Sequence, residues 1–210
     1  MGLAYKTGRL ISKILPAYGN RVWEVTSGPA LEPITLQELK DFSGIDYTEH
    51  DDMLEGFIGA VRGAAEEYTG KAFISQTIQM KMDYWPDAVV ELPRPPLISV
   101  TKIVTLDEDD GETEYDSDNY YIITQGTPGK VVLKKSVTSP QNTVRDHGGF
   151  LIEFKAGYGS EARDVPQAIC DGIKTWAASV YATRTFDPKN PPPEARLFLD
   201  LYRRTSLIVR

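Results

Sequence analysis

Histidine and cysteine are nearly missing from this chain of 210 residues, which has two of the first, His50 and His147, and one of the second, Cys170. A single cysteine excludes an internal disulfide, so stability must come from packing or assembly. Two histidines are too few for the centre of a metal phosphohydrolase, although "HDD" at 50–52 carries the His-Asp pair of such enzymes. Those residues read instead as the polar start of a helix. No apolar run approaches the roughly 20 residues that cross a bilayer, so no membrane association is expected. A secretory leader is not expected either, because "RLISKILPAY" places Lys13 among its apolar residues and lacks a small-residue cleavage site. Repeats and long low-complexity tracts are also absent.

What is there is an ordinary globular composition, 41% hydrophobic and 25% charged, in a length that supports one domain or two small ones. The net charge of −7 is unevenly spread. Residues 1–25 and residues 189–210 each sum to +3, which leaves −13 on residues 26–188. Two basic ends thus flank an acidic body. A body of that sign is unsuited to wrapping nucleic acid, whose phosphates need basic partners.

The chain order of patterns is helix, strand, helix. In "PITLQELKDFSGID", Thr35 and Glu38 form a capping box ahead of Leu36, Leu39 and Phe42. A second helix is expected over 49–69, where Met53, Leu54, Phe57, Ile58, Val61, Ala64, Ala65 and Tyr68 make one apolar stripe, with Gly70 as its left-handed cap. Gly56, Gly59 and Gly63 share a side of that helix. Each weakens it by up to about 1 kcal/mol relative to alanine, a loss that close approach of another backbone can offset. These three are candidate packing residues between subunits.

Residues 72–158 change to a period of two, with about six strands expected. "ISQTIQMKMDYW", "SVTKIVTL", "NYYIIT", "GKVVLK" and "GGFLIEFKAGYG" are the clearest, and Asp110-Gly111 marks a hairpin tip. A helix then begins near Asp164 and Pro166 and carries Ile169, Ile173, Trp176, Ala177 and Val180 on one face. "ARLFLDLYRR" closes the chain as a short helix before the tail "TSLIVR". Neither helical end can bury its stripe alone. The expected fold is therefore α+β, a helical bundle built from N- and C-terminal helices with an inserted antiparallel β-unit. Its division is an N-terminal basic arm over 1–32, a discontinuous helical domain over 33–71 and 164–205, an inserted β-domain over 72–160, and a tail over 206–210.

Catalytic signals do not withstand inspection. "DEDDGETEYDSD" looks like a calcium loop, but with Gly111 at loop position six, the first and last positions fall on Leu106 and Ser117. Glu153 and Lys155 supply half of a metal-dependent nuclease motif, and Pro86-Asp87 the other half, more than 60 residues away. An amphipathic strand accounts for the same pattern. Cys170 has no local base to activate it. No catalytic residue, metal or cofactor is expected. "LPRPPL" at 92–97 contains the PxxP element of polyproline ligands, but it lies between two strands and reads as a rigid internal joint.

Four stretches together resemble the head–tail connector (adaptor, or head-completion) proteins of long-tailed bacteriophages and gene-transfer particles. They are "PALEPITLQELKDFSGID" with the acidic helix start "EHDDMLEGFIGAVRGAAEEYTGKAF", then "LPRPPLISVTKIV", then "IEFKAGYGSEARDVPQAICDGIKTWAASVYATR", and they span 29–186. The resemblance implies a non-enzymatic virion protein, made in the cytoplasm of the bacterial host. It implies a ring of about a dozen copies with cyclic symmetry, docked under the portal in the capsid–tail neck. Stopper or tail-completion proteins attach to the other side, and DNA passes through without specific binding. A stopper, a tail terminator and a metal-dependent nuclease are the alternatives. Within this reading, the tail residues Arg203, Arg204, Leu207, Ile208, Val209 and Arg210 are the candidate portal contacts. The arginines would pair with acidic groups, while the β-prone run between them would be ordered on binding.

Overall fold

The computed structural model describes residues 21–86, 88–137, 139–140 and 144–203. Local signals set the first helix, α1 (Leu36–Ser43). The Thr35 side chain accepts from the Glu38 N–H, and the Glu38 carboxylate accepts from the Thr35 N–H at 2.7 Å. The next helix, α2 (Asp51–Thr69), ends where Gly70 takes φ +69°, the left-handed cap that glycine adopts without strain. α3 (Gln167–Thr183) and α4 (Pro193–Leu199) come from the far end of the chain.

The apolar stripes of these four helices meet in a single cluster. Leu54, Ile58, Val61 and Ala65 of α2 pack with Ile169, Ile173, Trp176 and Ala177 of α3, and Leu39 and Leu199 close the sides. Fully burying side chains of this size stabilises by about 1.5–3 kcal/mol each, which neither pair of helices achieves alone.

Between α2 and α3 the chain makes seven strands: β2 (Gln76–Met82), β3 (Val89–Glu91), β4 (Leu97–Leu106), β5 (Glu112–Glu114), β6 (Tyr120–Ile123), β7 (Lys130–Leu133) and β8 (Phe150–Ala156). The short β3 is the strand that the sequence pattern does not reveal. β2, β8, β4 and β5 lie in antiparallel order in one sheet, and β3, β7 and β6 form a second. Ile78, Met80 and Met82 of β2 and Ile152 and Phe154 of β8 face Val90, Val131 and Tyr120 of the second sheet in a core of their own. The fold is α+β, with helices from both ends of the chain packed together and antiparallel strands between them.

An additional strand, β1 (Arg21–Ser27), lies where the sequence suggests only a basic arm. It pairs antiparallel with β2, from Arg21 opposite Met82 to Ser27 opposite Thr77. β1 is the edge of the larger sheet, and every residue after Arg21 is exposed. It therefore lacks the one-sided alternation that betrays a strand.

The two crossings between helices and strands run side by side. Ile74 bridges Gly159, the Ser75 N–H donates to the Gly159 carbonyl at 2.7 Å, and the Tyr158 N–H donates to the Phe73 carbonyl at 2.9 Å. Gly157 takes φ +140° here, and a Cβ on it would stand 2.6 Å from the Ile74 carbonyl carbon. No other residue fits that approach.

Candidate functional site

The proline joint "LPRPPL" is built into the body and is not displayed. Leu92, Pro95 and Leu97 are buried, the Pro95 carbonyl accepts from the Ala72 N–H at 3.2 Å, and the Pro96 carbonyl accepts from the Gly157 N–H at 2.9 Å. Arg94 projects from it across the end of α2. One guanidinium nitrogen donates to the Glu66 carbonyl at 2.6 Å, another pairs with the Glu67 carboxylate, and its carbon lies 4.7 Å from the centre of the Trp23 ring. The left-handed backbone of Arg94, φ +57°, directs the side chain there.

Beside this contact the guanidinium of Arg203 stacks on Tyr68, also at 4.7 Å, and Tyr68 donates to the Asp200 carboxylate at 2.6 Å. Burial and that acidic partner hold the Tyr68 hydroxyl above its ordinary pKa, so it stays a donor. Trp23, Tyr68, Arg94 and Arg203 line one open cavity of about 300 Å3. β1, α2, the proline joint and the residues after α4 each contribute one of the four. Sequence reasoning reached Arg203 alone among them. The sequence pattern puts Tyr68 only in the apolar stripe of α2, Arg94 only in the proline joint and Trp23 in no motif, and nothing local brings the three together.

Arg203 is the first of the six tail residues assigned to the portal, and it is exposed. Arg204, Leu207, Ile208, Val209 and Arg210 lie outside the described residues. The three glycines of α2 are placed differently from a tight contact within the subunit. A Cβ added to Gly56 or Gly63 would meet nothing within 4 Å, and one added to Gly59 would meet only the Glu32 carboxylate, at 3.6 Å. The stripe faces away from α3, so within one subunit no backbone approaches to offset its cost. It remains available to another.

The residues considered for catalysis serve the fold. His50 Nδ1 lies 2.8 Å from the Tyr181 hydroxyl, while Asp51 pairs with the buried Lys40 at 2.7 Å. The Glu153 carboxylate accepts from Gln79 at 2.8 Å on the neighbouring strand, with Phe154 fully buried between Glu153 and Lys155. Asp87 is outside the described residues. Asp107 accepts from the Gly111 N–H at 2.7 Å and from the Asp109 N–H at 3.0 Å, which spends its carboxylate on the hairpin tip. The Cys170 thiol is buried and pushed up to about 11, mainly by that burial. Among the described residues no group of three or more His, Cys, Asp or Glu side chains is arranged to hold a metal ion.

The sequence matches the profile of a family described as head completion protein over residues 32–205. The chain belongs to the head completion protein family. No curated protein matches it. The solved chains that share its fold include three from gene transfer agent particles. One is from the neck of an empty GTA particle computed with C6 symmetry, with TM-score 0.77 and 17% identity, covering 90% of this chain and 98% of its own. A second, from the virion of a native gene transfer agent particle, has TM-score 0.76, 18% identity and the same coverage. The third, from the neck of a native GTA particle computed with C12 symmetry, has TM-score 0.72 and 19% identity, covering 89% of this chain and 98% of its own. Residues 1–31, with all of β1, precede the family match.

Proposed function

We propose that this head completion protein is a structural head–tail connector: a ring of about twelve copies that sits under the portal, joins capsid to tail and continues the DNA channel. The observation that carries the reading is the family match, which takes in the four α-helices and seven of the eight strands of the described residues. The similar chain in a particle neck computed with C12 symmetry supports the copy number. DNA passes without specific binding, since the acidic body repels phosphate. Stopper or tail-completion proteins take the far side of the ring. The protein is made in the host cytoplasm, ends in the virion neck and performs no catalysis.

Two surfaces divide the contacts. Gly56, Gly59 and Gly63 receive the neighbouring copy, whose backbone can approach where no side chain stands. Arg203, Arg204 and the run Leu207-Ile208-Val209 with Arg210 bind the portal. The helices over 33–71 and 164–205 act as one domain, and 72–160 as another inserted in it. Truncation after Arg204 tests the portal contact. The expected product is folded and no longer attaches to the portal. Attachment at full occupancy would remove the tail from the interface.

A further inference from the structure

The short helix α4 carries apolar side chains on both of its sides. On the inner side Ala195 and Leu199 are fully buried. Leu197 stands roughly 200° around the helix from each of them, so it points outward. Asp200 keeps a helical backbone, and Leu201 follows Leu197 one turn later on the same outer face. Both leucines are 74% exposed, more than any other large apolar side chain among the described residues.

A groove of matching character lies elsewhere on the subunit. Leu31, Ile34, Leu36 and Ile58 line an open space of about 420 Å3 beside α2, with Glu32 and Glu55 also in its walls. It adjoins the glycine side of α2, since a Cβ on Gly59 would meet the Glu32 carboxylate at 3.6 Å. The helix α3 separates this groove from the two leucines. Its Cys170 thiol donates to the Pro33 carbonyl at 3.5 Å, whereas a Cβ on Gly172 would stand 3.0 Å from the Leu199 side chain. Residues two apart on a helix point to nearly opposite sides. The segment 31–36 and α4 therefore flank α3 on opposite sides, and one subunit carries an apolar projection on one flank and an apolar groove on the other.

We infer that Leu197 and Leu201 of each copy fill the groove between α2 and residues 31–36 of the next copy. Two different patches that match each other make a head-to-tail contact, which closes into a ring when the rotation between copies closes. Leucine faces set against each other in a two-fold pair would leave both grooves open. Charge favours the same match. Arg62 holds Glu32 at 2.9 Å, which leaves Glu55 to face Arg196 of the neighbouring copy, and Arg196 engages only its Nε within the subunit, on the Pro191 carbonyl at 2.8 Å. The contact brings α4 to the glycine side of α2, where a close backbone is accommodated. The inference rests on the proposed ring and names the two elements that meet in it.

The test places Leu31→Cys and Leu201→Cys in a full-length Cys170→Ala chain and treats assembled particle necks with a flexible bismaleimide. Denaturing gels read the links. The double variant is expected to give a ladder of joined copies that ends at the ring number, and each single variant to give none. Copies with Leu31→Cys alone, mixed with copies carrying Leu201→Cys alone, should stop at pairs. Independently, Leu197→Glu with Leu201→Glu should keep the wild-type thermal melt, since both side chains are exposed, and lower ring occupancy at least about tenfold. A ring visible by electron microscopy with no ladder from the double variant overturns the inference and leaves the ring standing. Wild-type occupancy of the glutamate variant does the same. So do links of the Leu201→Cys chain to itself, which make the contact two-fold, or to the portal, which give this face of α4 to that partner. Wild-type necks without a ring of this protein instead remove the reading on which the inference stands.

Discussion

The backbone N–H of Phe73 donates to the carboxylate of Glu66 at 2.8 Å, so a buried acid at the end of α2 holds the first residues of the crossing into the strands. The same oxygen accepts from Gln76 at 2.9 Å, and the other accepts from Arg62 at 3.0 Å, which also reaches Glu32. Burial is the largest influence on Glu66 and raises its pKa above the ordinary 4.5 despite these donors. A raised folded value means that the native state binds the proton more tightly than the unfolded state. The stability contributed is complete below 4.5 and is lost as pH rises through the folded value. Urea unfolding of wild type and Glu66→Gln across that window should show the wild type's relative stability falling as pH rises. Glu66→Ala, which leaves the Phe73 N–H and the Gln76 amide without their acceptor while Arg62 keeps Glu32, should cost about 1–3 kcal/mol.

Cys170 should be silent toward thiol reagents. Its thiol donates to the Pro33 carbonyl at 3.5 Å, and with a pKa near 11 it carries almost no thiolate at pH 8. Labelling with a disulfide reagent is expected only after denaturant unfolds the protein. Cys170→Ala should lower stability by about 1 kcal/mol and leave assembly intact.

The glycine face separates folding from assembly. Gly56→Ala and Gly63→Ala should raise the stability of the isolated subunit by up to about 1 kcal/mol, because each new methyl projects into open space. Gly63→Leu should fold with a normal thermal melt and yet fail to enter rings. Electron microscopy of assembled necks reads the second outcome, and normal incorporation of the leucine variant would take the stripe out of the interface.

Glu153 and Lys155 give a catalytic control. Purified protein incubated with DNA and magnesium should leave the DNA intact. Replacing both residues with alanine should change only stability, by about 1 kcal/mol, through loss of the Gln79 bond.

The parts legible in the sequence are those whose causes are local. The Thr35–Glu38 capping box, the Gly70 cap and the Asp110-Gly111 hairpin each depend on atoms a few residues apart, and each is where the pattern puts it. The proline joint is legible too, since its neighbours are strands. β1 is not: its partner residues are 50 or more positions away and it is exposed on both faces, so no period marks it. The glycine spacing gives a side of α2. Its direction depends on Leu54, Ile58, Val61 and Ala65 turning the opposite side toward α3. Of the cavity lined by Trp23, Tyr68, Arg94 and Arg203, only Arg203 is singled out by the sequence, because the other three meet through separate long-range packings.

The side-by-side crossings at Ile74 and Gly159 bear on how such a protein can change over evolutionary time. The strand region begins and ends at a bonded pair of backbones, so loops within it can lengthen or shorten while the helices keep their spacing. In a symmetric assembly every copy carries each alteration at once, and a shift in helix spacing would be multiplied around the circle. Placing variable length behind a fixed doorway confines that change to one side of each subunit.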